Sequence, residues 1–133
     1  MLPADTADLR KARGAFFTPP AVARFITEWA VRADTDDIIE PSCGEAVFLH
    51  QLPKSHAGRV VGVEIHHASA REAQRTLRRE GIKADVHARD FFTSDEFGQF
   101  DAAVGNPPYV RYQGWTGAAR ATSRQAALRA GVN

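Results

Sequence analysis

Apolar positions along this chain switch repeatedly between a helical and an extended period. Val22, Phe25, Ile26, Trp29 and Ala30 recur at helical spacing behind Pro19-Pro20, which predicts an amphipathic helix over 20–33 with Thr18 near its N-cap and its aromatic residues in the core. Asp36-Asp37-Ile38-Ile39-Glu40 is a short β-branched run, and after Pro41-Ser42-Cys43-Gly44 the residues Ala46, Phe48, Leu49 and Leu52 restore a helical period that Pro53 closes. A strand, a Gly-bearing loop and a helix are expected there. Residues 59–65 form a second strand with a largely continuous apolar body, as buried parallel strands have. The Ala/Arg/Glu-rich stretch 67–80 predicts a helix with Ala70, Ala73 and Leu77 on one face and Gly81 just past its end. Third and fourth strands are expected at about 84–88 and 100–104, separated by a polar loop at 93–99. The Ala/Arg-rich residues 117–130 can form a last helix. Strands alternating with helical or loop crossovers imply an α/β fold with an open parallel sheet.

Composition narrows this reading only a little. A chain of 133 residues, 44% hydrophobic and 25% charged, has the size and mixture of one compact domain. Seventeen basic and sixteen acidic residues leave the global charge silent about partners. The distribution is more informative, since no acidic residue follows Asp101 while Arg111, Arg120, Arg124 and Arg129 do. Such a segment suits phosphates or a solvated helix face. Cys43 is the only cysteine, so no internal disulfide is possible. The N-terminus lacks an apolar signal core and no apolar run approaches the roughly 20 residues of a membrane span, so a soluble cytoplasmic protein with no membrane partner is expected. Residues 1–13 are polar and read as an arm or short helix.

The unusual residue groups all fall at the carboxyl ends of the expected strands, where ligands bind in open parallel sheets. Glu40-Pro41-Ser42-Cys43-Gly44-Glu45-Ala46 is a small-residue turn whose backbone N–H groups can approach a ligand. Glu64 stands twenty residues after Gly44, the offset at which an acidic side chain accepts ribose hydroxyls, although a solvated strand-end cap has the same appearance. Asp90 beside Phe91 and Phe92 could accept an adenine amino proton while a ring packs on the base, or could be a loop residue beside core phenylalanines. Gly105-Asn106-Pro107-Pro108-Tyr109 is the stiffest group, because two prolines fix φ and bias Asn106 toward an extended conformation. A plain Pro-Pro turn with a capping Asn shares that sequence.

Taken together, these motifs resemble the class I S-adenosylmethionine-dependent methyltransferases, and more closely the DNA adenine-N6 methyltransferases of restriction-modification systems. The similarity runs from Gly14 to about Gln113. Gly14-Ala15-Phe16-Phe17-Thr18-Pro19-Pro20 looks like the family's N-terminal motif that lies against the cofactor's methionine part, so the resemblance makes Phe17, Thr18 and Pro19 cofactor contacts. Glu40, Pro41, Cys43 and Gly44 are similar to its cofactor loop, Glu64 with Ile65 to its ribose-binding strand end, and Asp90 with Phe91 to its adenine-binding segment. Asn106-Pro107-Pro108-Tyr109 matches its catalytic tetrapeptide. The resemblance implies a Rossmann-like sheet, S-adenosylmethionine as cofactor, DNA as partner and no metal. In physical terms the adenine N6 lone pair is delocalised into the ring, and acceptors on its two protons, the Asn106 side-chain oxygen and the Pro107 carbonyl, can localise it. Tyr109 would stack on a base flipped out of the duplex.

Two departures from the family pattern stand out. Ala46 occupies the place of a second glycine, and the chain stops about two dozen residues after its fourth strand, where the family has a seven-stranded sheet and a target-recognition region. A fragment is therefore expected, with an N-terminal arm and cofactor-contacting segment at 1–19, a partial methyltransferase domain at 20–110 and a basic tail at 111–133. An uncovered inner strand would favour self-association or a complementing chain. The rival readings are a glutamine-amide methyltransferase acting on protein and a catalytically silent cofactor-binding module. His50, His56, His66, His67 and His87 form no convincing ligand set. The His66-His67 pair is expected to open a surface helix and Cys43 to be a packing residue.

Overall fold

A computed structural model describes residues 17–93, 98–109 and 115–132. The expectations for residues 1–16, for the middle of the acidic loop and for Arg111 lie outside them. Helix α1 (Pro20–Ala30) leads into strand β1 (Ile38–Glu40), and a loop ending in a single 3-10 turn at Leu49–Gln51 leads on to β2 (Val60–Glu64). Helix α2 (His67–Arg79) and β3 (Asp85–Ala88) follow, then a second 3-10 turn at Phe91–Thr93, β4 (Ala102–Ala103) and helix α3 (Gly117–Arg129).

The four strands form one sheet in the order β3-β2-β1-β4, and every pair is parallel. Register is set by Ile38 lying opposite both Val60 and Ala102, and by Gly62 lying opposite Val86. Alternation along the strands divides the core in two. Ile38 and Val60 belong to a large cluster with Ala23, Phe48, Leu49, Ala73, Leu77 and Val104, beneath α1, α2 and the loop. Ile39, Val61 and Val63 face the other way, against the half-buried rings of Phe91 and Phe100. Phe48, Ile38, Leu49 and Leu77 are fully buried, and such burial is worth about 1.5–3 kcal/mol for each side chain.

Three expectations are corrected. Helix α1 stops at Ala30, because Val31 is already extended, and it buries a different stripe from the one its aromatics mark. Ala23 and Thr27 face the core, and the Thr27 hydroxyl donates to the Phe48 carbonyl at 3.4 Å, an approach that small side chains permit. Phe25 and Trp29 remain 71% and 73% exposed. The helix expected after Gly44 is a series of turns. Ala46 sits in the left-handed region at φ 61°, which a right-handed helix cannot include, and only Leu49–Gln51 closes a turn before Pro53. Its apolar residues are buried all the same. Finally, no side chain caps α1, so Thr18 is not its N-cap.

Each edge of the sheet is distinct. The Arg89 N–H donates to the Glu64 carbonyl, so odd-numbered residues of β3 turn their backbone toward β2 and even-numbered ones turn outward. There the Gln74 side-chain amide donates to the Ala84 carbonyl and accepts from the Val86 N–H, both at 2.9 Å. At the other edge, among the described residues, no strand pairs with the outer side of β4.

Candidate functional site

The loop after β1 passes close over β2. The Cys43 N–H donates to the Val63 carbonyl at 2.8 Å, and a Cβ on Gly62 would come within 3.1 Å of the Cys43 sulfur and 3.2 Å of Leu49. Glycine in mid-strand is what lets the loop lie down there. Gly44 adopts φ 52°, and a Cβ on it would meet nothing within 4 Å, so its backbone borders open space. Cys43 is buried, and burial first, then the charges of Glu40 and Glu64, push its thiol well up, which makes it a packing group and not a nucleophile.

The two strand-end glutamates serve this loop differently. One carboxylate oxygen of Glu64 accepts from the Gly44 N–H and the other from the His66 N–H, both at 2.9 Å. Glu64 thereby ties the glycine turn to the start of α2 while lying at the end of β2. Glu40 is 2% exposed, and its Oε2 has no hydrogen-bond partner among the described residues. Burial pushes its carboxyl well above the ordinary range; a backbone hydrogen bond from Leu49 opposes this and the charge of Glu64 adds to it. Its side chain lies beside Gly105, whose Cβ, if present, would be 3.6 Å from the Glu40 Cγ.

At the end of β3, one Asp90 carboxylate oxygen accepts from the Phe92 N–H at 3.0 Å, shaping the turn in which Phe91 packs edge-on against Phe92. Ile65 is exposed at the end of β2. Beyond β4, the chain leaves the sheet at Gly105 and carries Asn106, half-buried, with Pro107, Pro108 and Tyr109 exposed. Tyr109 is 64% exposed, and its hydroxyl donates to the Asn106 Oδ1 at 2.9 Å. The Asn106 amide donates through Nδ2 to the Thr18 hydroxyl at 3.2 Å.

The structure thus brings together Thr18 with Asn106 and Tyr109, Glu40 with Gly105, and Glu64 with Gly44. Asp90 and Phe91 stand at the next strand end along, and Phe17 and Pro19 stay exposed beside Thr18. Sequence reasoning missed the Thr18–Asn106 contact, which joins residues 88 positions apart and has no signature in spacing. It also missed that the orphaned acid is Glu40 and not Glu64. Among the described residues, no group of three His, Cys, Asp or Glu side chains could hold a metal ion, and no helix is long and apolar enough to cross a membrane.

A parallel sheet in the order 3-2-1-4, with acidic side chains ending its first two strands and an Asn-Pro-Pro-Tyr strip after its fourth, is the Rossmann-like arrangement of the methyltransferase fold. Solved structures share the fold. A modification subunit of a putative type I restriction enzyme from Vibrio vulnificus superposes with a TM-score of 0.60 at 19% identity, over 76% of this chain and 26% of that one. An RNA methyltransferase from Salinibacter ruber, in complex with S-adenosyl-L-homocysteine, gives 0.55 at 23% identity over 60% of this chain and 54% of that one. The chain belongs to the N-6 DNA Methylase family, whose profile matches residues 2–130. Among curated relatives, the type II methyltransferase M.CvrRI of a Paramecium bursaria Chlorella virus is 36% identical over 101 residues, covering 75% of this chain and 25% of its own. The type II methyltransferase M.PaeR7I of Pseudomonas aeruginosa is 32% identical and is covered over 24% of its length. The chain therefore spans about a quarter of these relatives.

Proposed function

We propose that this chain is the cofactor-holding and amino-group-positioning part of a DNA methyltransferase that transfers a methyl group from S-adenosylmethionine to the N6 amino group of a flipped-out adenine. The observation that carries the reading is the Asn106 amide, its oxygen beside Tyr109 and its nitrogen tied to Thr18, one strand away from the orphaned Glu40 oxygen.

The residues present fit the cofactor. A buried acceptor without a partner suits an ammonium or hydroxyl donor, and Glu40 offers one beside Gly105, at the same loop-bearing strand end as the open backbone of Gly44. Phe17, Thr18, Pro19, Pro41 and Cys43 would line the methionine side, Glu64 and Ile65 the ribose, and Asp90 with Phe91 the adenine. The bound cofactor supplies an electrophilic methyl on a sulfonium. The chain's own work is done on the acceptor. Asn106 Oδ1 and the Pro107 carbonyl take hydrogen bonds from the two amino protons, which draws the nitrogen lone pair out of the ring. The Pro107 ring fixes φ at one acceptor and biases Asn106, which carries the other, toward an extended conformation, so little backbone reorganisation is required as charge develops. Tyr109, exposed on the same strip, provides a stacking face for a base that has left the duplex. DNA is the partner this reading requires, the remainder of the enzyme would come from further polypeptide, and the cytoplasm is the compartment.

Methyl transfer to adenine-containing DNA by the enzyme that carries this segment tests the reading. We expect N6-methyladenine as product, and a loss of 10²-fold or more for Asn106→Ala, the scale for removing one transition-state hydrogen-bonding group. Equal rates for that variant and its parent would refute the assignment.

A further inference from the structure

The Thr18–Asn106–Tyr109 chain of hydrogen bonds carries one step more, and that step rests on the reading just given. An asparagine amide has two nearly isosteric ends, one accepting and one donating. If Asn106 is to receive an amino proton, its oxygen must face the base, and a half-turn of the amide would present NH₂ to NH₂. Something must hold the correct end forward. Oδ1 lies within 2.9 Å of the Tyr109 hydroxyl, on the side where the stacking ring stands. Nδ2 is turned the other way, onto Thr18 at 3.2 Å. Thr18 is half-buried, caps no helix and leaves its hydroxyl lone pairs to that donor.

We propose that Thr18 is a positioning residue whose hydroxyl accepts from Asn106 Nδ2 and so orients Oδ1 toward the base, while the Tyr109 hydroxyl occupies Oδ1 until the base's amino group replaces it. In this arrangement the Thr18 hydroxyl accepts from one end of the amide while the Tyr109 phenol donates to the other, and a turned amide would require both hydroxyls to reverse their roles. Because Thr18 also lies in the segment assigned to the cofactor, the same side chain would tie acceptor orientation to the ordering of that segment.

In the enzyme that carries this segment, ¹⁵N-asparagine labelling reports the side-chain amides, and the Asn106 signals are those lost in Asn106→Ala. In the ligand-free enzyme, Thr18→Val should speed exchange of the Asn106 amide protons with water about fivefold, the factor for one ordinary hydrogen bond. Thr18→Ser should restore the parent rate to within about twofold on the same basis. Tyr109→Phe should shift the Asn106 signals, and adenosine added to the parent should shift them as well. Unchanged exchange in Thr18→Val, or failure of Thr18→Ser to restore it, overturns the positioning role. If the valine variant does not fold, the serine and phenylalanine variants decide: parent-like exchange in serine with shifted signals in phenylalanine supports it, and faster exchange in serine or unmoved signals in phenylalanine refutes it. A parent that ignores adenosine would sink the adenine reading, while the Thr18 arms, read without ligand, would still decide the orientation of the amide.

Discussion

The amino and carboxyl ends of the same four strands carry similar side chains and use them in opposite ways. At the amino ends carboxylates are consumed by the chain itself. Asp36 accepts from the N–H groups of Arg32 and Ala33, Asp37 from Arg59, and Asp101 from Asp37, at 2.7 to 3.0 Å. The backbone hydrogen bonds from Arg32 and Ala33 hold the Asp36 carboxyl below its usual range. Arg59 stacks 4.3 Å over Phe100 and donates to the Gln99 carbonyl, which fastens the start of β4 to that of β2. Among the described residues, the one buried side-chain polar atom left over at this end is Nδ1 of His56, whose Nε2 is 2.8 Å from the Asp36 carbonyl. At the carboxyl ends Glu64 is consumed likewise, but Glu40 keeps a buried oxygen unmatched and the Asn-Pro-Pro-Tyr strip projects into solvent. Apart from that imidazole nitrogen the first end is finished by folding, whereas the second keeps a carboxylate oxygen that, under the proposed function, a ligand would satisfy.

The contrast can be broken most forcefully at the finished end. A Cβ on Gly58 would run into the backbone carbonyl of Asp36. Gly58→Ala should therefore cost about 3 kcal/mol in urea unfolding, and a loss below about 0.5 kcal/mol would show that the amino edge is not rigid. The unfinished end should respond with the opposite sign. Glu40 has a folded-state pKa above its unfolded one, so the folded chain binds the extra proton, and stability falls as pH rises from the ordinary carboxyl range through the raised value. Glu40→Gln should lack that fall and be about 1 kcal/mol more stable than the parent at pH 8, with the gain vanishing near pH 4. Cofactor affinity should drop in the same variant, and a gain in both would contradict the cofactor role. The smallest effect is expected on the outward flank of α1, where Trp29→Gln should change unfolding free energy by no more than about 0.5 kcal/mol. A larger loss would mean that the aromatic stripe is packed in solution.

Much of this was legible in the sequence because parallel sheets write themselves as apolar runs that stop at polar or glycine-bearing ends. The runs at 38–40, 60–64 and 85–88 appear within a residue or two of their expected bounds, and the motifs that follow them stand at neighbouring strand ends as the topology requires. Period alone misread α1, since it finds the stripe of large apolar residues, while the core selected the flank on which Ala23 and Thr27 allow close approach. It misread 46–52 because a helical spacing of apolar residues is also what a folded-over loop shows when it buries every third or fourth side chain. The left-handed Ala46 is invisible to spacing. Within the candidate site, Asn106, Tyr109 and Glu40 can be nominated from sequence, but their partners cannot, because Thr18 meets Asn106 only after the intervening strands are assembled.

The Gln74 amide at the outer edge of β3 gives the sheet a direction of growth. By supplying one donor and one acceptor to β3, it occupies places that a further strand would need, so an incoming strand on that side must first evict a side chain held by two hydrogen bonds. The outer side of β4 carries no such occupant among the described residues. Any polypeptide that extends this sheet by pairing is therefore steered to the flank that bears the Asn-Pro-Pro-Tyr strip. Enlargement of the structure and enclosure of the site would then be the same event.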